Sequence, residues 1–169
     1  MQSTPLTVPH AVRRHESPSA TRVRLERWAA LYARVAIGTA FLSSVAARFG
    51  LWGARSSWRN FADFTRYTAE VNSFMPAASI SFLAWAATVA ELSLGIALIV
   101  GIRLRSAAVG SAILLALFGA AMAISLGIKS PLDYSVFSAS AGALLLALRE
   151  AHGPSPRESS SAPTSRPRL

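Results

Sequence analysis

Four apolar runs, each nearly free of charge, divide the middle of the chain: residues 28–47, 80–100, 106–128 and 132–148. A hydrocarbon layer of about 30 Å takes about 20 helical residues, and about 17 is the least that suffices. The first three runs meet that length outright. The fourth is the shortest and starts beside Asp133, but residues 127–131 form a Gly/Pro turn that sends the chain straight back. In lipid, backbone N–H and C=O groups must be paired internally, so each run is read as a helix. The links 101–105 and 127–131 are too short for anything but antiparallel neighbours. The pattern therefore predicts an all-α fold, a transmembrane four-helix antiparallel bundle.

The first connection, residues 48–79, is the only long one. Within it Phe61, Phe64, Thr68, Val71 and Met75 recur at three- and four-residue steps, with Asn60 placed as an N-cap and Pro76 as a stop. This spacing predicts an extra amphipathic helix over about 60–75, in the first external loop, lying on the bundle or in the headgroup layer. Trp52 and Trp58 suit the same interface. Residues 1–26 and 151–169 are rich in Pro, Ser and Arg and lack an apolar run, so both are read as disordered tails around a membrane domain at 27–150.

Composition agrees with lipid as the solvent. Of 169 residues, 52% are hydrophobic and 15% charged, against about 25% charged in soluble domains. The net charge of +9 raises nucleic acid as a partner, but the basic residues gather in the tails and short loops. Topology and contact with anionic lipid explain that placement without it. With the N-terminus inside, Arg13, Arg14, Arg22, Arg24, Arg27, Arg103, Arg105, Arg149, Arg157, Arg166 and Arg168 fall on the inner side. Only Arg48, Arg55, Arg59, Arg66 and Lys129 fall outside. The bias places both termini in the cytoplasm.

Two ionisable side chains lie inside the runs, where an unpaired charge costs about 3 kcal/mol or more. They are Arg34 and Glu91. Counted from the inner ends of their runs, their depths differ by about 5 Å, a gap an extended arginine closes. An Arg34–Glu91 pair is thus the candidate polar bundle site, either a ligand or proton site or a neutralised pair that fixes helix register. A secondary outer polar cluster is expected from Arg48, Lys129, Asp133, Tyr134 and Ser138. Gly119, Ala120 and Ala123 in the third run and Ser140, Ala141 and Gly142 in the fourth read as small packing faces.

Other chemistry is thinly represented. There are no cysteines, and His10, His15 and His152 lie in or beside the tails, away from any intramembrane haem or metal site. No cofactor is evident; quinone is the one the bundle leaves open, with Phe41, Trp85 and Phe118 available to line a groove.

The order of motifs resembles the DoxX family. It runs Arg34-Val-Ala-Ile-Gly38, Phe41-Leu42 and Arg48-Phe49-Gly50 in the first run. Pro76 comes before the second run, Ala90-Glu91-Leu92 and Gly95 lie within it, and residues 101–105 follow it. The resemblance covers roughly residues 30–148. It implies a small bacterial-type four-helix membrane protein, with relatives linked to quinone or thiosulfate oxidation or to maturation of periplasmic redox enzymes. It also implies that Arg34 and Glu91 match the intramembrane polar positions, with Arg48 where a lysine is more familiar. The absence of cysteine puts any thiol-based role out of reach. The expectation is an accessory subunit supporting a membrane-linked redox or envelope process, through a redox-enzyme partner or as a homo-oligomer. A quinone-binding oxidoreductase subunit and a small transporter are the alternatives, and catalytic activity of its own is left undecided.

Overall fold

The structure, a computed structural model, describes residues 20–56 and 58–151. The three histidines and most of both expected tails lie outside the described residues. Six α-helices follow in order: α1 (Ala20–Arg48), α2 (Phe61–Val71), α3 (Ala77–Val100), α4 (Leu104–Leu126), α5 (Lys129–Asp133) and α6 (Val136–Ala151). A single 3-10 turn, Gly53–Arg55, interrupts the α1–α2 link. No strand occurs among the described residues. Three helices, α1, α3 and α4, are long and apolar enough to cross a membrane.

Two boundaries differ from the expectation. Helix α1 begins at Ala20, inside the segment read as a disordered tail up to residue 26. Its first turns carry an Arg22–Glu26 pair at i,i+4 with Arg22 Nε donating at 3.2 Å, which supports a helix in water as well as in lipid. The expected fourth run at 132–148 is divided. Pro131 sits near the start of α5, where its missing N–H costs nothing. Helix α5 then ends at Asp133, and Ser135 takes a left-handed φ of 54° that re-aims the chain into α6. Helix α6, with 16 residues, is about 24 Å long, short of a full hydrocarbon layer.

Packing runs α1 on α3, α3 on α4, α4 on α6, and α6 back on α1. The shared core is rich in alanine: Ala30, Ala107, Ala108, Ala112, Ala143 and Ala147 surround Ile37, Phe41, Leu98 and Leu146. Small side chains let helix backbones approach in lipid, where dispersion and hydrogen bonds must supply the attraction. The backbones of α1 and α3 approach closely at a pair of glycines. A Cβ on Gly38 would lie 2.7 Å from Ile99 Cγ1 and 3.0 Å from the Gly95 carbonyl oxygen, and one on Gly95 would lie 3.1 Å from the Gly38 oxygen. That double-glycine contact sets the register of the two helices. Between α4 and α6, Ser140 Oγ donates to the Ala112 carbonyl at 2.7 Å.

Helix α2 is built as its pattern requires. Asn60 Oδ1 accepts from the Asp63 N–H at 3.0 Å, and the Asp63 carboxylate accepts from the Arg59 N–H at 3.1 Å. The first bond satisfies an N–H group that a bare helix start leaves open, and the second ties the Asp63 side chain back to the residue before the cap. Phe64, Thr68 and Val71 are buried against the spans, while Met75 lies past the helix end and is exposed. Helix α2 contacts α1, α3 and α4 at the end of the molecule where α1 stops.

Candidate functional site

The polar centre forms where the last turn of α1 meets the middle of α3 and is roofed by α2. On α1 the buried positions Ile37, Phe41, Val45 and Arg48 follow one another at three- and four-residue steps, so Arg48 continues the core face. On α3 the face is Ala84, Thr88, Glu91, Gly95 and Leu98 at the same steps. Arg48 and Glu91 are each only 2% exposed. The Arg48 Nη2 group forms a salt bridge with Glu91 Oε1. Nη1 donates to Thr88 Oγ1 at 2.8 Å, and Nη2 also reaches Ser44 Oγ at 3.4 Å. Thr88 in turn donates to the Ala84 carbonyl at 2.7 Å, leaving its oxygen free to accept from the arginine.

The roof is aromatic. Arg48 Cζ stands 3.8 Å from the centroid of the Phe64 ring, a cation–π contact strengthened by exclusion of water. Trp58 meets Phe64 edge-on at 5.2 Å, and Phe61 packs on Trp85 of α3 at 4.4 Å and on Phe49 at 5.7 Å. One charged group thus touches three helices. Arg48 Nε and Glu91 Oε2 have no protein partner, so the pair is well but not fully satisfied.

The expected Arg34–Glu91 pair does not form. The Gly38–Gly95 contact puts Arg34 level with the end of α3, about 10 Å along the axis from Glu91. There Arg34 Nε donates to the Leu98 carbonyl at 3.1 Å and Nη2 to the Ile99 carbonyl at 3.3 Å. It closes the C-terminus of α3, where carbonyls lack helical partners and a positive charge is favoured. Gly101 follows in the left-handed region at φ 88°, and a Cβ on it would lie 2.7 Å from Arg34 Nη2. The left-handed backbone favours glycine there, and a side chain would also have to move the end of Arg34 aside.

The expected outer cluster is also not one site. Arg48 is withdrawn into the core, while Lys129 and Asp133 form an exposed i,i+4 pair and Tyr134 and Ser138 are exposed. Thr88, Ser44 and Phe64 complete the site; the first two were not singled out from the sequence, and Phe64 was read only as part of the α2 stripe. The signal for Arg48 was its place on the buried stripe of α1, continuing 37, 41 and 45.

A second set of charges lies on α2. Asp63 is paired with both Arg59 and Arg66. The Arg59 N–H bond, aided by the two guanidinium groups, holds its carboxyl below the ordinary carboxylate value. Burial pushes the Tyr67 phenol up, with Tyr134 and Glu70 acting in the same direction. Among the described residues no group of three His, Cys, Asp or Glu side chains is placed to hold a metal ion.

These features define a small helical integral membrane protein in which a buried ion pair joins two spanning helices to a short amphipathic one. A family model described as methylamine utilisation protein MauE matches residues 26–133, and the chain belongs to that family. The match runs from within α1 to the end of α5, including Arg34, Arg48, Glu91 and the whole of α2. It supports a membrane-protein family but not the DoxX family in particular. No curated protein and no solved structure matches the chain.

Proposed function

We propose that this chain is an accessory membrane subunit, without a catalytic step of its own, that supports a membrane-linked redox or envelope process of the kind its family name describes, the utilisation of methylamine. The observation that carries this reading is the use made of the buried charge. Arg48 spends both terminal nitrogens and its flat face on Glu91, Thr88, Ser44 and Phe64, all of this chain. A charge committed in that way fixes α2 across the spans and builds a defined surface, which is what a partner-binding subunit needs.

In this reading the chain crosses the inner membrane of a bacterial-type cell four times, with α5 and α6 together forming the last crossing and both termini in the cytoplasm. The DoxX-like order of motifs and the bias of basic residues support that topology. The test is growth: removing the protein from its host abolishes growth on methylamine while growth on ammonium is kept, and restoring the full chain restores it. Unchanged growth on methylamine overturns the reading.

One observation favours a second reading, the quinone-binding subunit. A shallow open groove of about 590 Å³ runs along α1, with Thr39, Leu42, Ser43 and Trp52 among its lining residues. Trp52 Nε1 is anchored on the Ser43 carbonyl at 3.1 Å, so one aromatic wall is fixed. Quinone that co-purifies with the full chain and is lost in Trp52→Leu supports this alternative.

A further inference from the structure

The flank of α2 beside its buried stripe carries charges of alternating sign: Arg59, Asp63, Arg66 and Glu70, spaced four, three and four residues apart. On the helix these steps bring Asp63, Arg66 and Glu70 to one side, and Arg59, just before the Asn60 cap, joins them through its pair with Asp63. Between them lies a shallow open groove of about 410 Å³, also lined by Trp58 and Tyr67. The two rings stand 5.6 Å apart with their planes inclined at 48°, so they form a corner rather than a stack. Asp63 is the fixed point. It is tied to the helix start by its bond from the Arg59 N–H, and its side chain is only 15% exposed, whereas those of Arg59 and Arg66 are 87% and 73% exposed. Two guanidinium groups sharing one carboxylate keep donors free, since each carries five N–H groups. Among the described residues Glu70 forms no ion pair.

This arrangement matches a zwitterion of definite shape. The free guanidinium donors suit a phosphate diester, and the aromatic corner with Glu70 suits an ammonium group. Arg66 and Glu70 are i,i+4 neighbours on the helix, about 6 Å apart between Cβ atoms, the scale of a two-carbon link between phosphate and ammonium. The surroundings indicate where such a group comes from. At the same end of the molecule Leu51 is 75% exposed, Trp52 55%, Phe74 51% and Met75 42%. Large apolar side chains beside charged and aromatic ones are the pattern of a headgroup layer.

We propose that this flank of α2 is a docking site for the headgroup of a zwitterionic phospholipid of the surrounding leaflet, with the phosphate on Arg59 and Arg66 and the ammonium against Tyr67, Trp58 and Glu70. The site is separate from the Arg48–Glu91 centre and uses the opposite requirement, exposure rather than burial. It ties α2 to lipid on one flank while Phe64 and Arg48 tie it to protein on the other.

The test uses the full chain, purified in detergent and stripped of lipid, with bound lipid counted by native mass spectrometry. Short-chain phosphatidylethanolamine, phosphatidylglycerol and water-soluble glycerophosphoethanolamine are offered in turn. The expected result is one retained phosphatidylethanolamine per chain, favoured about tenfold over phosphatidylglycerol. That preference is lost in R66Q/E70Q and kept in R105Q, an exposed arginine in the first turn of α4. Circular dichroism on the same samples establishes that the variants are folded, and E70Q alone, which disturbs no ion pair, is expected to reduce the preference in the same direction. Equal retention of both lipids, or an unchanged preference in folded R66Q/E70Q, overturns the proposal. Competition by glycerophosphoethanolamine as strong as that of the lipid overturns the assignment to the bilayer.

Discussion

Arg34 and Arg48 project from the same side of α1 toward α3, yet they meet different ends of it and do different things. At Arg34, α3 is finishing, so the guanidinium finds bare carbonyls of Leu98 and Ile99 and stays partly in contact with its surroundings. At Arg48, α3 is in mid-course with every backbone group paired, and what it offers instead is Glu91 and Thr88, under the cover of α2. The difference teaches that a charged residue in a span is defined by the register of its neighbour and by what closes over it. Hydropathy along its own helix does not distinguish the two arginines.

The sharpest way to break the comparison is to remove one partner from the buried pair. Glu91→Leu leaves Arg48 charged and enclosed, and is expected to lower stability by about 3–5 kcal/mol, read as a fall in thermal unfolding temperature in detergent. An effect no larger than that of Arg34→Ala erases the distinction. Gly38→Leu comes next. Its side chain must enter space held by Ile99 and the Gly95 carbonyl, at a cost of about 1–3 kcal/mol. If the register slips to relieve it, cross-linking between cysteines introduced on α1 and α3 shows a new pairing.

Asn60→Ala removes the cap that starts α2 and is expected to cost about 1 kcal/mol, seen as faster hydrogen exchange over residues 61–64 with the spans unaffected. Arg34→Ala costs still less, about 0.5 kcal/mol, because Arg34 is only half-buried and one of the two carbonyls it serves, that of Ile99, lies at an exposed position. Its measurable sign is faster exchange confined to the end of α3. The smallest effect is with pH. The Asp63 carboxyl titrates below its ordinary value when folded, so its contribution is fully present above about pH 4 and is lost as pH falls through the folded value. Exchange at the start of α2 should therefore quicken below about pH 4, and Asp63→Asn should abolish that dependence.

The spans were legible because lipid imposes one rule on long runs, and α1, α3 and α4 follow it. The capped start of α2 was legible for a local reason, since Asn60 and the stripe 61, 64, 68 and 71 act within one helix. The pairing of Glu91 was not, because it depends on how far α1 slides along α3. That slide is set by two glycines whose effect appears only when the backbones touch. Depth measured from the end of an apolar run failed for Arg34 because α1 begins at Ala20, well before its apolar stretch. The break at Ser135 likewise rests on a left-handed backbone that its neighbours impose.

The central claim is that Arg48 and Glu91 act as one unit. The measurement that tests it most directly is a double-mutant cycle on thermal stability with Arg48→Leu, Glu91→Leu and the two together. Leaving one buried charge alone is worse than removing both. The account predicts that the double variant is more stable than either single one, with a coupling of about 3 kcal/mol or more. Losses that simply add would contradict it.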